Sequence, residues 1–246
     1  MSLSVAIGCR KGGVGKTALT LCLASHYARL GRRALIVDLD PQGNATFGLG
    51  GDPGAAGAAE LLKGEAVEPI ELHEGISVFP GGPELNSVEV SRLDPEALRD
   101  VLGDRGEPFD VVLFDLPPYS EQLERLGLVA AKTALIPVVA HPFAISGAAR
   151  ISSLISERQR RGRPVPSRFA LVQAMTDMRR NLDRSLRESL EEVFPETKIL
   201  SFRQDISVAY ALTEQLPLHD YDASARVIPE LKMIARWLDE AGALNG

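Results

Sequence analysis

The chain has 246 residues, which suits one large α/β domain and is short for two. Its 45% hydrophobic and 24% charged content is typical of a globular protein. Its apolar stretches, such as residues 133–140, are far shorter than the roughly 20 residues of a membrane span. The net charge of −6 argues against a protein that coats nucleic acid through bulk positive charge.

Apolar runs and amphipathic stretches alternate along the chain and predict strands and helices in turn. In chain order these are a strand at 4–8, a helix at about 16–30, a strand at 33–38, a short helix at 55–63, a strand at 76–79, a helix at 95–102, a strand at 111–115, a helix at 122–131, strands at 133–137 and 168–174 with a helix at 146–161 between them, and helices at 182–194 and 224–241. Such alternation predicts a doubly wound, mostly parallel sheet flanked by helices, in a single domain spanning residues 1–246.

The first strand runs into a glycine-rich segment, Cys-Arg-Lys-Gly-Gly-Val-Gly-Lys-Thr-Ala at positions 9–18, and a helix follows. Glycines at these positions let backbone N–H groups converge on phosphate oxygens, and the helix N-terminus adds a positive dipole end. Lys16 is predicted to contact the β- and γ-phosphates, and the Thr17 hydroxyl to hold Mg²⁺. The strict phosphate-loop pattern is broken because Arg10 stands where the first glycine would be.

A second lysine, Lys11, precedes Lys16 by five residues, and the run K-G-G-V-G-K-T resembles the deviant Walker A group. That group includes the ParA, MinD and nitrogenase iron-protein families. The resemblance implies that Lys11 crosses a dimer interface to the partner's nucleotide, so that two ATP molecules lie between protomers. The implied nucleotide-binding residues are Lys11, Gly12, Gly13, Val14, Gly15, Lys16, Thr17 and Ala18. Arg10 and Ala18 depart from the ParA pattern, which usually has Gln and a second Thr or Ser.

The second predicted strand ends in the run V-D-L-D-P-Q-G-N-A-T at positions 37–46. Carboxylates at the C-terminal ends of strands point into the ligand crevice of an open α/β sheet. The run is similar to switch I of ParA proteins. This resemblance implies that Asp40 orients the attacking water and that Asp38 lies close to Mg²⁺.

The strand at 111–115 ends at Asp115, and Leu-Pro-Pro follows. An apolar strand that ends in an aspartate is the Walker B arrangement, in which the carboxylate binds Mg²⁺ through water. The D-x-P-P form resembles switch II of the same group. The resemblance of the three segments to this family implies slow Mg²⁺-dependent ATP hydrolysis, with Lys11, Lys16 and Asp40 as catalytic residues and with Thr17, Asp38 and Asp115 at the metal.

After Pro118 the chain resembles ParA proteins more loosely than it does before that residue. Met175 begins the segment that matches the family's T-M-x-D-x-R element, which lines the purine in relatives, so Met175 is assigned to the nucleotide site. Tyr210 stands where the family usually has Glu. The four histidines show no metal-ligand spacing and are interpreted as structural, and the two cysteines, with no basic apolar leader, favour a cytoplasmic protein.

Residues 156–187 carry nine arginines against three acids, a local charge of +6. In ParA relatives, basic residues of this half bind nonspecific DNA once the ATP dimer has formed. Arg180 and Arg184 lie one turn apart on a predicted helix, with Leu182, Leu186 and Leu190 expected on its buried face. The predicted DNA-binding residues are Arg179, Arg180, Arg184, Arg187 and Arg203. The expected partners are therefore a second copy of the chain, nonspecific double-stranded DNA and a ParB-like centromere-binding protein, with the ATP-bound form on the nucleoid.

Several alternatives stay open or are disfavoured by the sequence. A ParA-like positioning ATPase with a protein cargo and a cargo adaptor has the same catalytic segments. A MinD-like membrane switch is disfavoured because the C-terminal helix is acidic rather than basic, so no stable membrane binding is expected. An iron–sulfur carrier would need cysteines after Cys22, and none is present. Small-molecule kinase chemistry of the dethiobiotin-synthetase type would not explain Lys11.

Overall fold

The computed structural model describes residues 3–243, apart from the side chains of residues 104 and 241–243. Its centre is a sheet of eight strands in the order β3-β4-β2-β5-β1-β6-β7-β8. Neighbouring strands are parallel except for β3 and β4, which are antiparallel. The strands are β1 (Leu3–Ile7), β2 (Ala34–Asp38), β3 (Ile70–His73), β4 (Ile76–Phe79), β5 (Val111–Asp115), β6 (Thr133–Val138), β7 (Arg168–Thr176) and β8 (Lys198–Arg203).

Helices connect most of these strands. They are α1 (Lys16–Arg29), α2 (Asn44–Phe47), α3 (Ala58–Leu62), α4 (Val88–Ser91), α5 (Ala97–Leu102), α6 (Glu121–Ala130), α7 (Ala144–Arg160), α8 (Asn181–Val193), α9 (Ile206–Thr213), α10 (Leu218–Tyr221) and α11 (Ile228–Ala243). Within the described residues, no helix combines the length and apolarity that crossing a bilayer requires.

The sheet is covered on both faces, and each face has its own hydrophobic core. One core packs α1 and α11 against the sheet, through side chains such as Leu23 and Ile234. The other core packs α3, α5, α6, α7 and α8 against the opposite face, through side chains such as Phe114 and Leu190. Strands β1, β2 and β5 are buried along their whole length, as expected for parallel strands between two helical layers. The doubly wound α/β architecture predicted from the sequence is confirmed.

Most of the predicted elements are present, with several differences. Helices α2, α4, α9 and α10 were not predicted, and α11 begins at Ile228 rather than at residue 224. Strands β3 and β8 were not predicted, and both lie at the edges of the sheet. The short helix predicted at 55–63 begins only at Ala58. Leu182 was expected on the buried face of α8 and is instead 64% exposed. It lies in the first turn of α8, whereas Leu186 and Leu190 are buried.

Candidate functional site

The phosphate loop connects β1, at the centre of the sheet, to the N-terminus of α1. Gly13 and Gly15 have φ angles of 70° and 84°, a left-handed conformation that residues with a side chain rarely adopt. The loop therefore curls back on itself, and the buried Lys16 ammonium donates to the Lys11 carbonyl oxygen at 2.9 Å. This contact places the ammonium at the Lys11–Gly12 end of the loop, beside the open face of the α1 N-terminus.

Hydroxyl and carboxylate groups meet directly below the loop. The Thr17 hydroxyl donates to one Asp115 oxygen at 2.7 Å, and the Thr20 hydroxyl donates to the other at 3.1 Å. Asp38 lies opposite Asp115 in the β2–β5 register. Burial raises the pKa of the Asp115 carboxyl, and the nearby Asp38 charge raises it further. Two buried carboxylates side by side repel each other, so this pair favours a divalent cation.

Asp38 is held by a network of its own. Its carboxylate accepts from the backbone N–H of Asp40 at 3.1 Å and from the Thr46 N–H and hydroxyl at 2.9 Å and 2.8 Å. Burial raises the pKa of this carboxyl, and the Thr46 hydrogen bonds oppose the increase. Gly81 packs so closely against it that a Cβ there would lie 2.5 Å from the Asp38 carboxyl carbon. The loop that contains Gly81 therefore closes the underside of this site.

Asp40 is buried and accepts from the Gln42 N–H at 2.9 Å. It borders a cavity of about 1100 Å³ that opens above the phosphate loop, a size suited to a nucleotide. The cavity is lined by predicted residues (Gly12, Gly13, Val14, Gly15, Lys16, Thr17, Ala18, Asp40 and Met175) and by others that were not predicted (Pro41, Gln42, Asn44, Phe47, Gly48, Asn86, Pro117, Pro118, Tyr119, Ser120, Leu212 and Thr213).

Met175 faces the phosphate loop from the end of β7. Its φ of 53° is unusual for a residue with a side chain, and its methyl carbon would lie 3.5 Å from a Cβ at Gly15. Leu212 and Thr213 from α9 line the same cavity. The family pattern indicated Met175, but no local signal marked the α9 residues, because α9 reaches the cavity only through its long-range packing on α1.

Lys11 differs from residues 12–18 of the loop, because those residues line the cavity of their own chain and Lys11 does not. Its ammonium has no ion-pair or hydrogen-bond partner among residues 3–243. The neighbouring Arg10, in contrast, is held by α6: its Nε lies 2.9 Å from Glu124 and its Nη2 lies 3.2 Å from Glu121. Lys11 is thus left free at the rim of the loop while Arg10 is fixed.

The predicted DNA-binding arginines do not form one set. Arg179, Arg180 and Arg184 are exposed at the β7–α8 junction, where Arg179 pairs with Asp177 at 2.8 Å. Arg187 is half-buried and donates to the Ile199 carbonyl and the Ser201 hydroxyl, so its guanidinium is already engaged with β8. Arg203 lies at the end of β8 and pairs with Glu230 of α11 at 2.8 Å.

No cluster of three or more His, Cys, Asp or Glu side chains suited to a metal ion occurs within the described part of the chain. In nucleotide sites Mg²⁺ commonly takes one or two protein oxygens and completes its shell with phosphate and water. The Thr17 hydroxyl and the Asp115 carboxylate, already in contact, are suited to such a site.

Known proteins resemble this chain in sequence over most of its length. A family model described as an AAA domain (AAA_31) matches residues 3–171. The chromosome-partitioning ATPase Soj of Thermus thermophilus is 37% identical over 195 residues, which cover 78% of this chain and 77% of Soj.

Solved structures share the fold. Apo McdA of Cyanothece superposes with a TM-score of 0.82 at 22% identity, over 98% of this chain and 99% of McdA. A cobyrinic acid a,c-diamide synthase of Mycobacterium smegmatis, solved with ADP and magnesium, superposes with a TM-score of 0.75 at 28% identity, over 87% of this chain and 92% of that protein. The family match across most of the chain and its identity to Soj show that this protein belongs to the ParA/MinD superfamily of P-loop ATPases.

Proposed function

We propose that this protein is a nucleotide-gated switch that dimerises with ATP, binds DNA without sequence preference as that dimer, and releases it after hydrolysis. The observation that carries the proposal is the position of Lys11. Its ammonium has no partner within the described part of the chain, and Lys11 does not line the nucleotide cavity of its own chain. A lysine in that position is suited to the phosphates of a nucleotide held by a second copy of the chain, so that dimerisation reports the nucleotide state.

ATP hydrolysis is assigned to the residues around the phosphate loop. Lys16 and the backbone N–H groups of residues 12–17 would hold the phosphates, and Thr17 and Asp115 would hold Mg²⁺, with Asp38 behind them. Mg²⁺ bound by these residues would supply positive charge at the phosphate oxygens. Asp40, buried beside the cavity, would orient the attacking water, while Lys16 and Lys11 neutralise charge that develops on the phosphate oxygens. The bound ADP and magnesium of the Mycobacterium smegmatis protein support this assignment.

DNA binding is assigned to Arg179, Arg180 and Arg184. The exposed ion pair of Arg179 with Asp177 is weak in water and can be exchanged for a phosphate contact. The Arg184 guanidinium donates to the Met178 carbonyl and the Asn181 side chain, which leaves its charge uncompensated among the described residues. Two such surfaces on a dimer double the number of phosphate contacts, so affinity should depend steeply on nucleotide and on salt.

The partner is proposed to be a ParB-like protein that stimulates hydrolysis during chromosome or plasmid segregation, as the likeness to Soj supports. The protein would then be cytoplasmic and would associate with the nucleoid in its ATP-bound form. Membrane attachment through α11 is disfavoured, because its apolar side chains Leu231, Ile234 and Leu238 are buried in the core.

The test is binding to a random-sequence DNA duplex at fixed moderate salt. It is measured with ADP, with ATP, and with ATP after Arg180 and Arg184 are both changed to Glu. We expect binding with ATP only, and its loss in the double variant. The matched control is R99E/R236E, which makes the same charge change on exposed arginines of α5 and α11 and should keep ATP-dependent binding.

Two outcomes would contradict the proposal in different ways. If sizing shows ATP-dependent dimers but no DNA binding, the switch acts on a protein cargo or another surface instead of DNA. If K11A forms the dimer as readily as the unchanged protein, Lys11 does not contact the partner's nucleotide, and the main support for the gated dimer is lost.

A further inference from the structure

Tyr119 occupies an unusual place beside the nucleotide cavity. It follows Pro117 and Pro118 and precedes Ser120, the residue that caps α6 by accepting from the Leu123 N–H at 3.3 Å. Its side chain lines the cavity, yet the residue is 86% exposed. No sequence pattern assigns Tyr119 a role, because the likeness to switch II ends at the two prolines.

The phenol hydroxyl of Tyr119 lies over the phosphate loop. A Cβ added to Gly12 would be only 2.9 Å from that oxygen, so the hydroxyl sits against the backbone of the loop. Among the residues that the structure describes, it has no hydrogen-bond partner. A phenol is both a donor and an acceptor, and this one therefore has an unused donor above a loop built to hold phosphate.

The backbone at Tyr119 is restrained by the segments before and after it. The prolines before it restrict the backbone that leaves Asp115. The helix after it is tied to the phosphate loop by Arg10, which reaches Glu121 and Glu124 in the first turns of α6. The start of α6, which directly follows Tyr119 and Ser120, is thus tied to the phosphate loop through Arg10.

The hydroxyl lies at the end of the cavity where the terminal phosphate is expected. The Lys16 ammonium, which contacts the β- and γ-phosphates in such loops, bonds to the Lys11 carbonyl next to Gly12. Met175, assigned to the base, lies against Gly15 at the other end of the loop. Gly12, Lys16 and Tyr119 therefore mark the phosphate end of the site.

We propose that the Tyr119 hydroxyl donates a hydrogen bond to the terminal phosphate of a bound nucleoside triphosphate and so helps the site to distinguish ATP from ADP. The inference rests on the proposed nucleotide site and deepens it. Because a diphosphate has no oxygen at that position, the bond forms only with the triphosphate. Tyr119 lies four residues after Asp115, just past the Leu-Pro-Pro segment of switch II, so the same bond connects the terminal phosphate to that segment.

The experiment is calorimetric titration of the unchanged protein and of Y119F with Mg²⁺–ADP and with a non-hydrolysable Mg²⁺–ATP analogue. Y119F keeps the ring and removes only the donor. A hydrogen bond to a charged acceptor corresponds to about tenfold in affinity, so we expect Y119F to bind the analogue about tenfold more weakly and ADP equally well. The control is Y221F, an exposed tyrosine of α10 outside the cavity lining, which should change neither affinity.

The same titrations in a K11A background distinguish two origins of the effect. Tyr119 either bonds to the terminal phosphate of the nucleotide in its own chain or acts only through the contact across the dimer. The inference is supported if the selective loss persists there, and it is overturned if the loss disappears. It is also overturned if Y119F weakens both nucleotides equally or neither. If the unchanged protein binds neither nucleotide, the proposed function fails rather than the role of Tyr119.

Discussion

Two histidines from distant parts of the chain contact each other away from the nucleotide site. His26 of α1 and His219 of α10 have ring nitrogens 3.2 Å apart, and their rings are stacked. Burial lowers the pKa of both imidazoles. The positive charges of Lys232 and Arg29 lower these pKa values further, while Asp239 and Asp220 oppose the change. The pair is held by one hydrogen bond between neutral rings, which supports the structural role predicted for the histidines.

This pair should make the protein less stable as the pH falls. The folded-state pKa of each histidine is below its unfolded value, so the unfolded chain binds protons first, and stability is lost as the pH falls below about 6.5. We expect the urea midpoint to decrease between about pH 7.5 and pH 5, and the decrease to be smaller in H26Q/H219Q. H141Q, at an exposed histidine, should behave like the unchanged protein. Equal slopes for all three proteins would show that the pair does not contribute.

At this scale the sequence was informative wherever a role depends on a short local run. Lys16, Thr17, Asp40 and Asp115 all lie in such runs, and the structure brings all four to the cavity or directly beneath it. Tyr119 was missed because its place depends on the packing of α6 against the loop, which no local pattern encodes. The hydrogen bonds of Arg187 could not be predicted, because its partners belong to β8, a strand that was not predicted.

The elements that were missed have a common physical cause. Strand β8 has exposed or half-exposed residues between its buried ones, so its pattern is weaker than the continuous apolar runs of β1, β2 and β5. Strand β3 exposes or half-exposes every residue. Edge strands bury one face at most, which removes the signal that reveals central strands. Leu182 shows the opposite error, because a residue predicted to be buried is exposed. The helical period that correctly predicts Leu186 and Leu190 as buried does not apply to the first turn of α8, where Leu182 is not packed against the core.

The link between the phosphate loop and α6 can be tested as an element contact. Glu124 is only 2% exposed, and its second carboxylate oxygen has no hydrogen-bond partner. Removing Arg10 would leave this buried carboxylate without its cation. We expect R10Q to lower the free energy of unfolding by about 3 kcal/mol, measured by urea denaturation. The double variant R10Q/E124Q should recover much of that loss, because no buried charge remains.

A surface ion pair serves as the control for that cycle. Arg236 and Glu240 lie 3.3 Å apart on the exposed side of α11. R236Q should change the free energy of unfolding by less than about 1 kcal/mol. If R236Q and R10Q lower the free energy of unfolding equally, the burial of Glu124 does not make its ion pair with Arg10 more important for stability than a surface pair.

For the whole molecule, nucleotide binding should couple to global stability, because the cavity is built from both halves of the sheet. A ligand that binds only the folded state adds about 2.7 kcal/mol at one hundred times its dissociation constant. We therefore expect Mg²⁺–ATP to raise the melting temperature of the unchanged protein. The increase should be lost in K16A, whose ammonium lies in the loop, and kept in K198A, an exposed lysine of β8. An increase in K16A equal to that of the unchanged protein would place the nucleotide elsewhere.

The strand order has a further consequence for how the molecule opens. Strand β1 has β5 on one side and β6 on the other, and all of its residues are buried. Its amide hydrogens can exchange with solvent only when the whole sheet comes apart, whereas β3 and β8 at the edges can open locally. The peptide that carries the phosphate loop is therefore anchored in the last part of the fold to be lost. Partly opened forms that have released either edge still retain the segment that binds nucleotide.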